Sequence, residues 1–564
     1  MTTLTRPVWR IAPSDRPAAL ALARGAGVPP IVAQLMLLRG IRTPGEAERF
    51  LNPSLSHLFD PFLMTGMREA VARITRARDA GETVTVFGDY DVDGVSATAI
   101  MTRGLRRFGV ERVFQGMPDR MRDGYGLMPD QVEEAHARGV SLLITVDNGI
   151  NAFAAVDRAR ELGVDLIVTD HHSVEDRLPE VVAVLNPRIE PEGHPARGLC
   201  GAGVALKLAT ALNGTPNDLD IAALGTVADI VPLSGENRAI VALGLKHMKR
   251  HARTGLAQLA DVAGFSLAEV TSEKIGFQLG PRLNAAGRLD DARVALDLLM
   301  AECPEEAKGL AGALNTANSE RRAIEQEIFN EAAEELDAFF NRGQRSIVVA
   351  REGWHQGVIG IVAARLLSRY NRPVVVFSVS DGVAKGSARA MRDFDLMEAL
   401  TACRHHLDKY GGHRAAAGMT MKADRLAAFR EDFERAARAQ SGDGEPLQEL
   451  DIDARITFSE IDAALLKNLE RLEPFGQGNP APLFAALGVE VVPQSVRVLK
   501  EQHVKMTLRQ GDTVFTAVWF RMAERFLTEP LPALVDAAFT PQPSNFAMDT
   551  PIRLIVRDMR PAGT

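Results

Sequence analysis

Four apolar runs of strand length, separated by helical stretches, constrain the fold of this chain more than any other feature. They are Val84-Thr85-Val86-Phe87, Leu142-Leu143-Ile144-Thr145-Val146, Leu166-Ile167-Val168-Thr169 and Val181-Val182-Ala183-Val184-Leu185. Runs that are apolar almost throughout, rather than at alternate positions, belong to strands covered on both faces, as in a parallel sheet with helices on either side. Three of the runs lead into an acid: Asp89 follows the first after one glycine, Asp147 follows the second and Asp170 the third. Ligands of open α/β sheets bind at the carboxyl ends of the strands. The three acids are therefore expected to converge.

The first of these turns, Asp89-Tyr90-Asp91-Val92-Asp93-Gly94, places carboxylates at alternate positions ahead of a helix expected from Val95. An Asp side chain titrates near 3.9 when unperturbed, so such a cluster is a concentration of like charge that bound cations relieve. Oxygen-rich ligation with an occasional imidazole suits Mn²⁺ or Mg²⁺, and two such ions can hydrolyse a phosphodiester. The same turn is also found in helix caps and calcium loops. An EF-hand would need a Glu at its twelfth position, and counting from Asp89 that position is Ile100. The pair His171-His172 after Asp170 adds two imidazoles at a strand end, one available to metal and the other to phosphate or proton transfer. Asp229, in Val227-Ala228-Asp229-Ile230-Val231-Pro232, puts an acid in an apolar setting, which fits a metal ligand or a buried helix cap.

A chain of 564 residues is too long for one ordinary core. Residues 1–70 read as a helical arm broken at Pro29-Pro30 and Asn52-Pro53, and 71–300 as the α/β unit carrying the acids. Leu310, Leu314, Ala317, Ile324, Ile328 and Leu336 predict a long amphipathic helix within 301–342. A second α/β unit follows over 343–440, with strands at Ser346-Ile347-Val348-Val349 and Val374-Val375-Val376-Phe377. Ser441-Gly442-Asp443-Gly444-Glu445-Pro446 reads as a linker, and short β-like runs dominate 447–564, such as Val514-Phe515-Thr516-Ala517-Val518-Trp519. They suggest a small barrel, with a sandwich as the alternative.

The formal net charge of −8 excludes an indiscriminate nucleic-acid coat, but not a nuclease whose site is itself rich in carboxylates. Cys200, Cys303 and Cys403 are too scattered for a disulfide framework or a cysteine zinc site. There is neither a signal-peptide pattern at the start nor a run of about 18 apolar residues. A cytoplasmic protein without a membrane role is expected.

Taken together, Gly88-Asp89-Tyr90-Asp91-Val92-Asp93-Gly94, Val146-Asp147-Asn148-Gly149, Thr169-Asp170-His171-His172 and Val227-Ala228-Asp229-Ile230-Val231-Pro232 resemble the four ordered motifs of the DHH phosphoesterases. The resemblance is to the bacterial branch of that family specific for single-stranded DNA. It extends through Gly124-Tyr125-Gly126-Leu127, Arg282-Leu283-Asn284-Ala285-Ala286-Gly287-Arg288 and Trp354-His355-Gln356-Gly357-Val358-Ile359-Gly360. It continues in Gly386-Ser387-Ala388-Arg389, Gly411-Gly412-His413 and Pro474-Phe475-Gly476-Gln477-Gly478-Asn479-Pro480.

The resemblance implies a DHH catalytic domain on a parallel sheet, joined by the long helix to a DHH-associated domain, with an OB-type barrel after it. It implies Asp89, Asp91, Asp93, Asp147, His171 and Asp229 as metal-site residues, with Asp91, Asp147, His171, His172 and Asp229 carrying catalysis. Arg282, Asn284, Arg288, Ser387, Arg389, Gly411, Gly412 and His413 would hold the substrate, although any one arginine is as readily a surface salt bridge. In the barrel, Arg497, Lys500, His503, Lys505 and Arg509 near Phe515, Trp519 and Phe520 suit a single strand, the rings being otherwise barrel core. The implied activity is 5′-to-3′ digestion of single-stranded DNA with two Mn²⁺ or Mg²⁺ ions, in repair and recombination. A single-strand-binding protein and a RecQ-type helicase would be partners. Two other readings stand beside it: a phosphodiesterase of short oligonucleotides or cyclic dinucleotides, and a non-catalytic replication scaffold.

Overall fold

The computed structural model describes residues 7–118, 126–289, 291–341, 343–442, 448–529, 531–544 and 550–563. Gly124 and Tyr125 of one motif, and positions 443–446 of the expected linker, lie outside the described residues. Two compact units emerge: one comprises Arg16–Asn318 with Asn468–Ala481, the other the N-terminal segment through Asp15 with Ser319–Lys467 and Pro482–Thr564.

In the first unit the apolar runs form a five-stranded sheet, parallel throughout. Its strand order is Arg112–Gly116, Thr83–Phe87, Val140–Val146, Asp165–Thr169, Ala183–Leu185. One face (Val84, Val86, Ile144, Val146, Ile167) joins a core shared with the helices Val92–Phe108 and Gly201–Asn213. The other face (Phe87, Leu143, Leu166, Val168) packs on Val132, Ala135, Val156 and Ala159. Burial on both faces is why these strands carry few polar positions. The strand Arg112–Gly116 escaped the sequence reading because it is an edge strand, exposed or half-buried along its length.

The ladder continues one residue beyond the strands: the amide N–H of Gly88 donates to Gly116 O, that of Asp147 to Thr169 O and that of Asp170 to Leu185 O, at 3.0, 2.9 and 3.0 Å. The acids thus leave the sheet level with one another.

The second unit contains a mixed sheet of order Lys409–His413, Ala416–Lys422, Val383–Arg389, Val374–Ser380, Ile347–Glu352, in which only the last pair is parallel. It also contains a closed barrel. Five strands run in the order Phe484–Val491, Leu534–Pro543, Ile552–Pro561, Thr513–Trp519, His503–Gln510, and the last pairs back on the first through Val491 and Leu508. Closure leaves those five strands without a free edge. The predicted amphipathic helix runs Pro304–Phe339, with Leu314, Ile328 and Leu336 buried.

Candidate metal centre and substrate contacts

Each acid of the cluster is held by a different backbone device. Asp91 caps the helix Val92–Phe108, its Oδ1 accepting from the N–H groups of Asp93 (2.9 Å) and Gly94 (3.1 Å). Asp93 reaches across to the next helix, its two oxygens accepting from the N–H groups of Gly201 (2.7 Å) and Ala202 (2.9 Å) at the start of Gly201–Asn213. Asp147 sits at φ 63°, a left-handed conformation that costs a non-glycine residue free energy. Its side chain lies against Gly201, where an added Cβ would come within 2.5 Å of Asp147 Cβ. Asp229 closes the helix Leu219–Ala228.

These devices bring the candidate ligands together. His171 Nε2 is 3.0 Å from Asp147 Oδ1 and 3.7 Å from Asp93 Oδ2, and its Nδ1 is 3.8 Å from Asp229 Oδ2. Ligand atoms of Asp89, Asp91 and Asp147 lie within 4.8 Å of one another, as do those of Asp93, His171 and Asp229 and those of Asp147, His171 and His172. Asp89, Asp93 and Asp147 are buried.

The electrostatics follow from crowding in a dry place. Burial, reinforced by the charges of Asp93, Asp91 and Asp89, pushes the Asp147 carboxyl well above the usual carboxylate range. Burial and the charge of Asp93 raise Asp91, and burial with the charges of Asp93 and Asp91 brings Asp229 up to about 8. Such a set is poorly disposed to hold its charge alone, and oxygen donors with one or two imidazoles are what Mn²⁺ and Mg²⁺ prefer. The residues therefore fit a divalent-metal centre.

Asp170 stands apart from this group. Its carboxylate accepts from the N–H groups of Ile150 (3.0 Å), His171 (2.7 Å) and His172 (3.1 Å), and its Oδ1 lies 2.7 Å from His172 Nδ1. Burial opposes ionisation of Asp170, but the bond and charge of His172 outweigh it and hold the carboxyl below its ordinary value. Burial likewise opposes the charged form of His172, yet Asp170 wins and the imidazole is pushed up to about 9. For His171 burial dominates and lowers the value. The two histidines therefore differ: burial disfavours the charged form of His171, which lies among the carboxylates, whereas Asp170 favours the charged form of His172. Asp170 shows in the sequence only as the acid ahead of two histidines; its orienting role needs the folded turn.

The other expected substrate contacts are placed as follows. Asn284 turns inward, its Oδ1 accepting from the Val92 N–H at 3.0 Å, so it fixes the aspartate turn. Arg282 is buried, its Nε donating to Asn315 Oδ1 at 3.0 Å and its Nη1 to Gln278 O at 2.7 Å; Arg288 is half-buried on the same helix. In the second unit Ser387 and Arg389 occupy one strand, Arg389 Nη1 donating to Ser387 Oγ at 3.1 Å. Both lie beside Gly360, where an added Cβ would meet Ser387 Oγ at 2.9 Å and Arg389 Nη2 at 3.0 Å. Gly360 is in the first turn of the helix Ile359–Tyr370, the end of a helix that favours anions. Gly411, Gly412 and His413 form an exposed edge strand. In the barrel, Phe515 and Trp519 are core residues, Phe520 is exposed against His503, and Arg509 is paired with Glu490.

A five-stranded parallel sheet with carboxylates and imidazoles gathered at its strand ends defines a phosphoesterase of the DHH class. The description "DHH family, N-terminal domain" matches residues 83–228, "DHHA1 domain" 343–439 and "RecJ OB domain" 452–558. The chain is 39% identical over 524 residues to the single-stranded-DNA-specific exonuclease RecJ of Bacillus subtilis, covering 92% of this chain and 66% of that one. It is 35% identical over 507 residues to the RecJ of Escherichia coli, covering 85% and 87%. The crystal structure of Thermus thermophilus RecJ in complex with Mn²⁺ superposes with a TM-score of 0.85 at 30% identity, over 100% of this chain and 81% of that one. The chain belongs to the RecJ family.

Proposed function

We propose that this chain is a metal-dependent exonuclease that degrades single-stranded DNA from the 5′ end, in DNA repair and recombination. The observation that carries the reading is the gathering of Asp89, Asp91 and Asp147, and of Asp93, His171 and Asp229, into two groups whose ligand atoms lie within 4.8 Å of one another, bridged by His171 at 3.0 Å from Asp147, in a chain of the RecJ family. These residues would hold one or two ions, Mn²⁺ or Mg²⁺. When bound, such ions supply a water of lowered pKa and offset charge on the leaving oxygen.

The protein's own contribution is orientation and charge. His172, protonated at neutral pH through Asp170, is a donor for a phosphate oxygen. Arg389, Ser387 and the first turn of Ile359–Tyr370 offer a guanidinium, a hydroxyl and helix N–H groups in one place, a set suited to a terminal phosphate. Gly411, Gly412 and His413 present an exposed strand along which a sugar-phosphate backbone can lie, and Arg282 and Arg288 add charge near Asn284. The barrel, with exposed Arg497, Lys500 and Phe520, suits a single strand.

We also assign 1–70 to an arm, 71–300 to catalysis, 301–342 to the connecting helix, 343–440 to substrate binding and 447–564 to the barrel. Among the described residues no single helix is long and apolar enough to cross a membrane; a cytoplasmic site of action, with a single-strand-binding protein and a RecQ-type helicase as partners, accords with the family. A dinucleotide, a long 5′-phosphorylated single strand and a duplex, each incubated with enzyme and Mn²⁺, separate the readings. Rapid release of mononucleotides from the long strand alone is expected; preference for the dinucleotide would establish the short-substrate phosphodiesterase, and no hydrolysis with no Mn²⁺ uptake the scaffold.

A further inference from the structure

Two large apolar side chains on the elements around Asp229 lie open to solvent. Ile230, the residue after Asp229, is 70% exposed, and Phe277 is 73% exposed. Phe277 sits in a π-helical segment, Ile275–Leu279, a local departure from α-helix that recurs at functional sites. Ile230 holds φ 57°, a left-handed conformation in which a β-branched residue is an outlier. Neither feature serves the core, since both side chains point away from it.

The two residues belong to one surface. An added Cβ at Gly276 would meet Val227 Cγ1 at 3.8 Å, and one at Gly280 would meet Ala228 Cβ at 3.9 Å. The π segment therefore packs on the last turn before Asp229. One loop fastens both elements: Leu233 N–H donates to Gln477 O at 2.7 Å and Ser272 Oγ–H to Phe475 O at 2.6 Å. The same π segment leads into the helix whose Asn284 holds the aspartate turn. The loop thus overdetermines the strained backbone at Ile230, the condition under which such strain persists. It also accounts for the motif Pro474–Pro480, which the hydrolytic chemistry leaves unused.

We propose that Phe277 and Ile230 form an apolar lip on which an unpaired nucleobase of the substrate stacks beside the phosphate being hydrolysed. The assignment rests on the single-strand exonuclease reading. An exposed ring beside a phosphate-hydrolysing centre meets a partner with a π-face, and any base offers one whatever its sequence. In a duplex those faces are covered by neighbouring pairs, so the lip favours single strands.

The test uses full-length protein and single strands carrying 2-aminopurine at successive positions from the 5′ end, in EDTA so that nothing is cut. Stacking predicts fluorescence quenching at one position in the wild type, lost in Phe277→Ala and kept in Phe277→Trp, with binding weakened about tenfold in the alanine variant. Ile230→Gly, which relieves the left-handed backbone while removing the side chain, is expected to weaken binding less. Equal quenching and affinity in wild type and Phe277→Ala, both folded by circular dichroism, overturn the lip. Failure of the exonuclease reading shows separately, as wild-type protein that releases no nucleotides from single strands with Mn²⁺.

Discussion

The two groups of residues proposed to face the substrate are built on opposite principles. In the parallel-sheet unit the polar groups are buried and crowded: Asp89, Asp93, Asp147 and Asp170 are each below 5% exposed, and burial raises the carboxyls of Asp91, Asp147 and Asp229. In the mixed-sheet unit Ser387 and Arg389 are half-buried, and Gly411, Gly412 and His413 are exposed. A centre that must concentrate cations needs fixed, dry ligands whose repulsion the cation relieves. A surface that must let a polymer slide after each cut needs contacts that form and break in water. On the proposed function, hydrolysis falls to the first kind of site and end recognition to the second.

The largest effect expected is on the first. Asp147→Ala should lower kcat on the order of 10⁴-fold while raising, not lowering, the melting temperature of the metal-free protein, because a crowded buried carboxyl is removed. Loss of folding together with loss of activity would make Asp147 structural.

Arg389→Ala should act differently, lowering kcat/KM for a 5′-phosphorylated strand about 10²-fold and for a 5′-hydroxyl strand far less. Equal losses on both ends would remove Arg389 from terminal-phosphate recognition.

Asp170→Asn lies between the two principles, since Asp170 holds His172 beside the candidate ligands without being one of them. A fall in activity of about 10- to 100-fold is expected. Nuclear magnetic resonance titration should show His172 moved down from about 9, because burial is then opposed only by the charges of Asp229 and Asp89 and no longer by the bond and charge of Asp170. An unchanged His172 titration would contradict the orienting role.

The smallest effect is on stability. A carboxyl whose folded pKa exceeds its unfolded value favours the fold only while protonated, so its contribution is lost as pH rises through the folded pKa. For Asp229 the window runs from 3.8 to about 8. The metal-free protein should lose stability across it, and Mn²⁺ should restore more at the alkaline end, where fewer protons have to be displaced. Metal affinity independent of pH would place Asp229 outside the centre.

How much of this was legible beforehand differs between the two units for the same reason. Strands buried on both faces write their burial into consecutive apolar residues, so Val84–Phe87 and Leu142–Val146 could be read directly, together with the acids after them. Arg112–Gly116, half-solvated at the sheet edge, carries no such signature. Chemistry fixed by residue type was readable too: carboxylates and imidazoles at strand ends. Chemistry fixed by approach was not. Gly201 against Asp147, the inward turn of Asn284 and the π segment under Phe277 depend on distances between segments remote in sequence. The barrel rings show the limit from the other side, for Phe515 and Trp519 are core while Phe520 alone of the three is exposed, a division that adjacency in sequence conceals.

The division of labour between hydrolysis and end recognition is tested most directly by digesting one single strand labelled at either its 5′ or its 3′ end, using wild type and Arg389→Ala with Mn²⁺. The 5′ label should leave the wild type first, as a mononucleotide, while the 3′ label remains on steadily shorter strands; Arg389→Ala should be slower and lose its preference for a 5′ phosphate. Release of the 3′ label first, or cutting from the interior by the wild type, would contradict it.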